Sequence, residues 1–115
     1  MTNYIITRHP ATIEWLQSMM QGETIIIPHL HEDMIPKLTR EDKVYGILPI
    51  HLINRILRRG AEYYAVILPR VPRSRRGQEL TVSELKEYGA YVARVSSLTL
   101  DPIPRGRKQA SGGGV

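Results

Sequence analysis

The stretch Asn3-Tyr4-Ile5-Ile6-Thr7-Arg8-His9-Pro10-Ala11 decides how the rest of the chain is read. Its first half has the apolar and aromatic residues of a strand. Its proline suits the first turn of a helix, where a missing N–H costs nothing. An arginine and a histidine stand between them, where a strand ends and a helix begins. The following segment, ATIEWLQSMM (11–20), places Ile13, Leu16, Met19 and Met20 at helical spacing, and Gly22 ends the helix.

The same alternation continues outward. ETIIIPH (23–29) reads as a second strand, and its unbroken apolar run predicts cover on both faces. A connection with a short helical turn around Met34–Leu38 leads to a third strand, KVYGILP (43–49). Pro49 opens the helix IHLINRILRR (50–59), arginines in its last turn complement the dipole, and Gly60 closes it. AEYYAVILP (61–69) is a fourth strand. Thr81 with Glu84 forms a capping box that starts a helix ending at Gly89, and AYVARVSSLTL (90–100) supplies a final strand at a sheet edge. The pattern predicts an α/β fold: a mostly parallel five-stranded sheet with helices on both faces, in one domain over residues 1–100. The Pro/Gly/Arg-rich tail, 101–115, reads as disordered.

Composition narrows the partners. The chain has no cysteine, which excludes disulfides, thiolate zinc sites and thiol nucleophiles and fits a reducing compartment. No apolar run approaches the ~20 residues of a membrane helix, and the first residues lack a signal-peptide pattern, so a cytoplasmic protein with no membrane partner is expected. Lys and Arg number 16 against 11 Asp and Glu, and twelve of the 16 are arginine. Arginine presents a rigid fork of donors that matches phosphate oxygens, so a polyanionic partner is favoured.

In parallel sheets ligands bind beyond the carboxyl ends of the strands, at the switch in strand order. The expected strand ends carry Thr7-Arg8-His9, Pro28-His29, Leu48-Pro49 with His51 close behind, and Pro69-Arg70. Arginine forks, helix N-termini and imidazoles together suit phosphate binding and proton transfer near neutral pH. Arg70, Arg73, Arg75 and Arg76 crowd a loop (70–80) that is long for an α/β connection and could close over a polyanion. Each feature has a plainer reading. His9 could cap its helix, His51 could be a packing or surface histidine, and the arginine loop could be a solvated basic face. Trp15 reads as core or interface, and at least one of Tyr63 and Tyr64 should be buried. His29 and His31, with Glu32 and Asp33 nearby, resemble metal ligands, but no further carboxylate cluster stands at useful spacing, so no metal or cofactor is expected. No G-x-S-x-G elbow, Walker loop or G-x-G-x-x-G is present.

Five segments in order, ITRHPATIEW (6–15), His29-Leu30, YGILPIHL (45–52), RRGAEYY (58–64) and RGQELTVSELKEYGA (76–90), resemble the CRISPR-associated Csx-sixteen family of type III accessory proteins. That resemblance implies a compact Rossmann-like, CARF-related homodimer. It further implies a ring nuclease that opens the cyclic RNA messenger cyclic tetra-adenylate without metal or cofactor, with no DNA partner. The residues it reaches are Arg8, His9, His29, Pro49, His51, Arg76 and Gly77. On this reading Arg8 meets the scissile phosphate, His9 moves a proton, and His51 with its helix N-terminus holds a phosphate, while the Arg70–Arg76 loop covers the ring. Two rivals stay open. One is a module that holds a cyclic oligoadenylate or RNA without cutting. The other is a histidine phosphatase, whose motif carries Gly after the His where this chain has Pro10.

Overall fold

Alternating side chains send Ile6 of the first strand, β1 (Thr2–Ile6), to one face of the sheet and Ile5 to the other, and both are buried. The fold is built outward from that division. The computed structural model describes residues 1–105. Of the tail expected to be disordered, 101–105 are exposed and without helix or strand, and 106–115 lie outside the described residues.

After β1 come α1 (Pro10–Gln17), β2 (Glu23–Ile27), a 3₁₀ turn at Glu32–Lys37, β3 (Asp42–Gly46), α2 (Ile50–Arg58) and β4 (Glu62–Ile67). A second 3₁₀ turn at Arg73–Arg75, α3 (Val82–Glu87) and β5 (Tyr91–Arg94) complete the order. The five strands form one mixed sheet in the order β2-β1-β3-β4-β5. β1 pairs parallel with both β2 and β3, β3 pairs parallel with β4, and β5 runs antiparallel along β4.

Helices cover both faces. On one, α2 and the 3₁₀ turn at Glu32–Lys37 pack Ile35, Leu52 and Ile56 against Ile6, Val44 and Tyr63. On the other, α1 and α3 bring Trp15, Leu16 and Leu85 onto Ile5 and Val66. Trp15 and Tyr63 are thus core residues. The capping box forms as expected: the Glu84 N–H donates to Thr81 Oγ1 at 3.1 Å, and the Thr81 N–H donates to Glu84 Oε1 at 3.0 Å.

Three expectations are corrected. β2 is not covered on both faces: it is an edge strand, and Ile25 and Ile26 are 38% and 42% exposed. α1 stops at Gln17, because Met19 and Met20 donate to Leu16 and Gln17 in tighter i→i+3 turns, and this leaves Met19 exposed. The last strand spans only Tyr91–Arg94; beyond the Val95 N–H, which donates to the Tyr63 carbonyl, the chain leaves the sheet.

Candidate functional site

Strand order reverses between β1 and β3. From β1 the chain crosses by α1 to β2 on one side; from β3 it crosses by α2 to β4 on the other. The two helices lie on opposite faces, so the turns after β1 and β3 diverge and leave a crevice between them. A cavity of about 900 Å³ occupies that crevice, large enough for a nucleotide-sized ligand.

The backbone is drawn tight beneath the cavity. Gly46 ends β3 beside Ile6, and a Cβ placed on it would lie 2.6 Å from the Ile6 carbonyl oxygen. The buried Tyr63 hydroxyl donates to the Gly46 carbonyl at 2.5 Å. Burial raises the Tyr63 phenol above its ordinary value, and the nearby Leu48 backbone opposes that rise. Tyr63 thereby fastens the start of the turn Gly46-Ile47-Leu48, which lines the cavity ahead of Pro49.

The floor is apolar, with Ile6, Leu30, Leu52, Val66 and Leu85 among its residues, and the rim is polar and cationic. Thr7, Arg8 and His9 enter the rim from the turn after β1, His29 from the turn after β2, Pro49 from the start of α2, and Arg75 and Arg76 from the loop between β4 and α3. His9 is the N-cap of α1 and Pro49 that of α2, both line the cavity, and neither helix has a side-chain cap to take up its first N–H groups. His9 is not a helix cap in the hydrogen-bonding sense: its backbone N–H donates to Thr7 Oγ1 at 3.2 Å, and its ring lies beside Glu79, Nδ1 to Oε1 3.5 Å.

Not every residue singled out in the sequence reaches the cavity. His51, Arg70 and Arg73 lie outside its lining. His51 is exposed, because the helical rotation that turns Leu52 into the cavity turns its neighbour away. Arg70 instead packs its guanidinium against Gly89, where a Cβ would collide with it.

Arg75 lines the cavity and also organises its own loop. Nη1 donates to Gln78 Oε1 at 2.6 Å, and Nη2 donates to the Glu79 carbonyl at 3.1 Å and to Glu84 Oε1 at 2.8 Å. Its Nε is buried without a partner. Glu84 is held below its ordinary value of 4.5, chiefly by the Thr81 backbone N–H and then by Arg75. Gln78 and Thr12 also line the cavity, neither singled out from sequence, as do His31 and Glu32, which the sequence offered only as metal-ligand candidates. A basic loop spanning 70–80 was the only signal that could have pointed to Gln78. His29 and His31 meet edge-to-face with ring centroids 5.6 Å apart, and Glu32 is paired to Arg55 Nη1 at 2.6 Å. Among the described residues no three His, Asp or Glu side chains converge as metal ligands would, and no helix is long and apolar enough to cross a membrane.

The chain is thus an α/β protein with a mixed five-stranded sheet, helices on both faces and a cation-rimmed cavity at the switch in strand order. Residues 4–98 match the family described as "Putative CRISPR-associated protein (Cas_VVA1548)", and the chain belongs to that family. No curated protein and no solved structure matches the chain.

Proposed function

We propose that the chain is a ring nuclease of the Csx-sixteen type with a Rossmann-like, CARF-related fold, and that it binds and opens cyclic tetra-adenylate in the cytoplasm to switch off a type III CRISPR response. The observation that carries this reading is the cavity itself. An apolar floor accepts nucleobases, while Arg8, Arg76, His9 and two helix N-termini ring it with groups suited to phosphate. Membership of a CRISPR-associated family supplies the biological setting.

The chemistry needs only positioning and charge. A ribose 2′-OH loses its proton to His9 and attacks the adjacent phosphorus, the P–O5′ bond breaks, and a proton returns to the leaving 5′-oxygen. The products are linear, with a 2′,3′-cyclic phosphate at one end and a 5′-hydroxyl at the other. Arg8 stabilises the charge on the phosphoryl oxygens, and Arg76 and the α1 and α2 N-termini hold neighbouring phosphates. A homodimer supplies each group twice to a symmetric ring.

Incubation of the protein with cyclic tetra-adenylate and a chelator, followed by mass analysis, tests the proposal. Linear products with a cyclic phosphate end are expected. Intact ring recovered bound to stoichiometric protein would replace cleavage with sequestration, the second reading that the same cavity supports.

A further inference from the structure

We propose that Glu79 is the positioning residue for His9, fixing which of its ring nitrogens carries the proton. The catalytic consequence rests on the reading of His9 as the proton-transfer group; the positioning itself does not. The contact joins two distant parts of the chain, the turn after β1 and the loop before α3, with Glu79 Oε1 3.5 Å from His9 Nδ1. His9 lines the cavity and Glu79 does not, although its neighbours Gln78 and Leu80 do.

Both partners are held from their own sides. His9 is placed by its N–H bond to Thr7 Oγ1 and by entry into α1 through Pro10, and its ring makes no cap bond that would turn it elsewhere. Glu79 is placed by Arg75, which donates to its carbonyl and to the side chains of Gln78 and Glu84. Gln78 adds a bond from Nε2 to the Ser74 carbonyl at 2.9 Å. A carboxylate charge 3.5 Å from Nδ1 favours the proton there and leaves Nε2 as the acceptor. An unconstrained histidine favours the opposite form, with the proton on Nε2. The same division of labour, one carboxylate behind one imidazole, holds the tautomer in hydrolytic triads.

The side chains of His9 and Glu79 are 62% and 68% exposed, so their pairing adds little to stability and Glu79→Ala keeps the fold. This makes a clean test possible on full-length protein labelled with ¹⁵N-histidine. Long-range proton–nitrogen correlation spectra, recorded where the imidazole is neutral, read the tautomer directly. Wild type is expected to show His9 protonated on Nδ1, and Glu79→Ala to move most of the population to Nε2. Identical tautomer populations in the two proteins overturn the proposal. With cyclic tetra-adenylate as substrate, kcat is expected to fall about tenfold or more in Glu79→Ala, with KM little changed. An unchanged kcat in a cleaving protein overturns the catalytic role. A protein that shows the tautomer switch but leaves the ring intact upholds the positioning and removes the cleavage reading alone.

Discussion

The Tyr63 hydroxyl and the Gly46 carbonyl, 2.5 Å apart beneath the cavity, connect the buried face of β4 to the turn that leaves β3. Tyr63 is 1% exposed, so its hydroxyl is removed from bulk solvent. Tyr63→Phe strands the Gly46 carbonyl and should cost about 1–3 kcal/mol of stability. Urea denaturation measures the loss. Because Leu48 and Pro49 line the cavity, ligand affinity should fall as well, and an unchanged affinity would separate the turn from binding.

Gly46 is required for a different reason. Its Cβ position is occupied by backbone, the Ile6 carbonyl oxygen at 2.6 Å, and backbone cannot step aside as a flexible side chain would. Gly46→Ala should force β1 and β3 apart at the cavity floor and destabilise the fold by roughly 1–3 kcal/mol. Gly77, with nothing near its Cβ position, has no comparable clash to suffer. Its φ of +80° still strains an alanine, so Gly77→Ala should be destabilising by only about 1 kcal/mol. Thermal melts of the two variants compare the effects.

Among the loop arginines, the lining separates Arg76 from Arg73. Loss of one charge-assisted phosphate contact is worth about 1.5–3 kcal/mol, so Arg76→Ala should weaken binding of cyclic tetra-adenylate about tenfold or more. Arg73→Ala should change it by less than about twofold at moderate salt. Calorimetric titration of both variants checks the contrast. Equal losses would place the effect in general charge rather than in the cavity.

Glu84 gives the loop a dependence on pH. Its folded-state value lies below 4.5, so the stability it contributes is fully present above the ordinary carboxylate range and is lost as pH falls through the lowered value. Protonation discharges the carboxylate that accepts from both Arg75 and the Thr81 N–H and weakens both bonds. The stability of wild type should therefore fall more steeply on acidification than that of Glu84→Gln, with the two curves converging in strong acid. Parallel curves would deny Glu84 that role.

How much the sequence disclosed varied with the range of the interactions involved. The exit from β1 into α1, Pro49 at the head of α2 and the capping box at Thr81 were legible because each depends on residues a few positions apart. The rule that ligands bind beyond the carboxyl ends of parallel strands put Arg8, His9, His29 and Pro49 on one edge, whereas the strand order that sets the switch point came from the structure. The exposure of Ile25 and Ile26 was illegible, because a continuous apolar run looks the same whether a strand is central or at an edge. The Arg75 hub and the Glu79–His9 contact were hidden for a related reason: side chains from separate elements meet there, and no spacing rule encodes the meeting. His51 was misplaced by the opposite error, since nearness to a strand end in sequence ignores the turn of the helix.

The sheet keeps two apolar layers apart along most of its width, one gathered by α2 and the other by α1 and α3. At the crevice they share a surface, where Ile6, Leu30 and Leu52 from one layer and Val66 and Leu85 from the other line the same cavity. A molecule seated there acts as a rivet through both layers. Ligand occupancy should consequently tighten amide protection in α2 and α3 together, though the two helices pack into different layers.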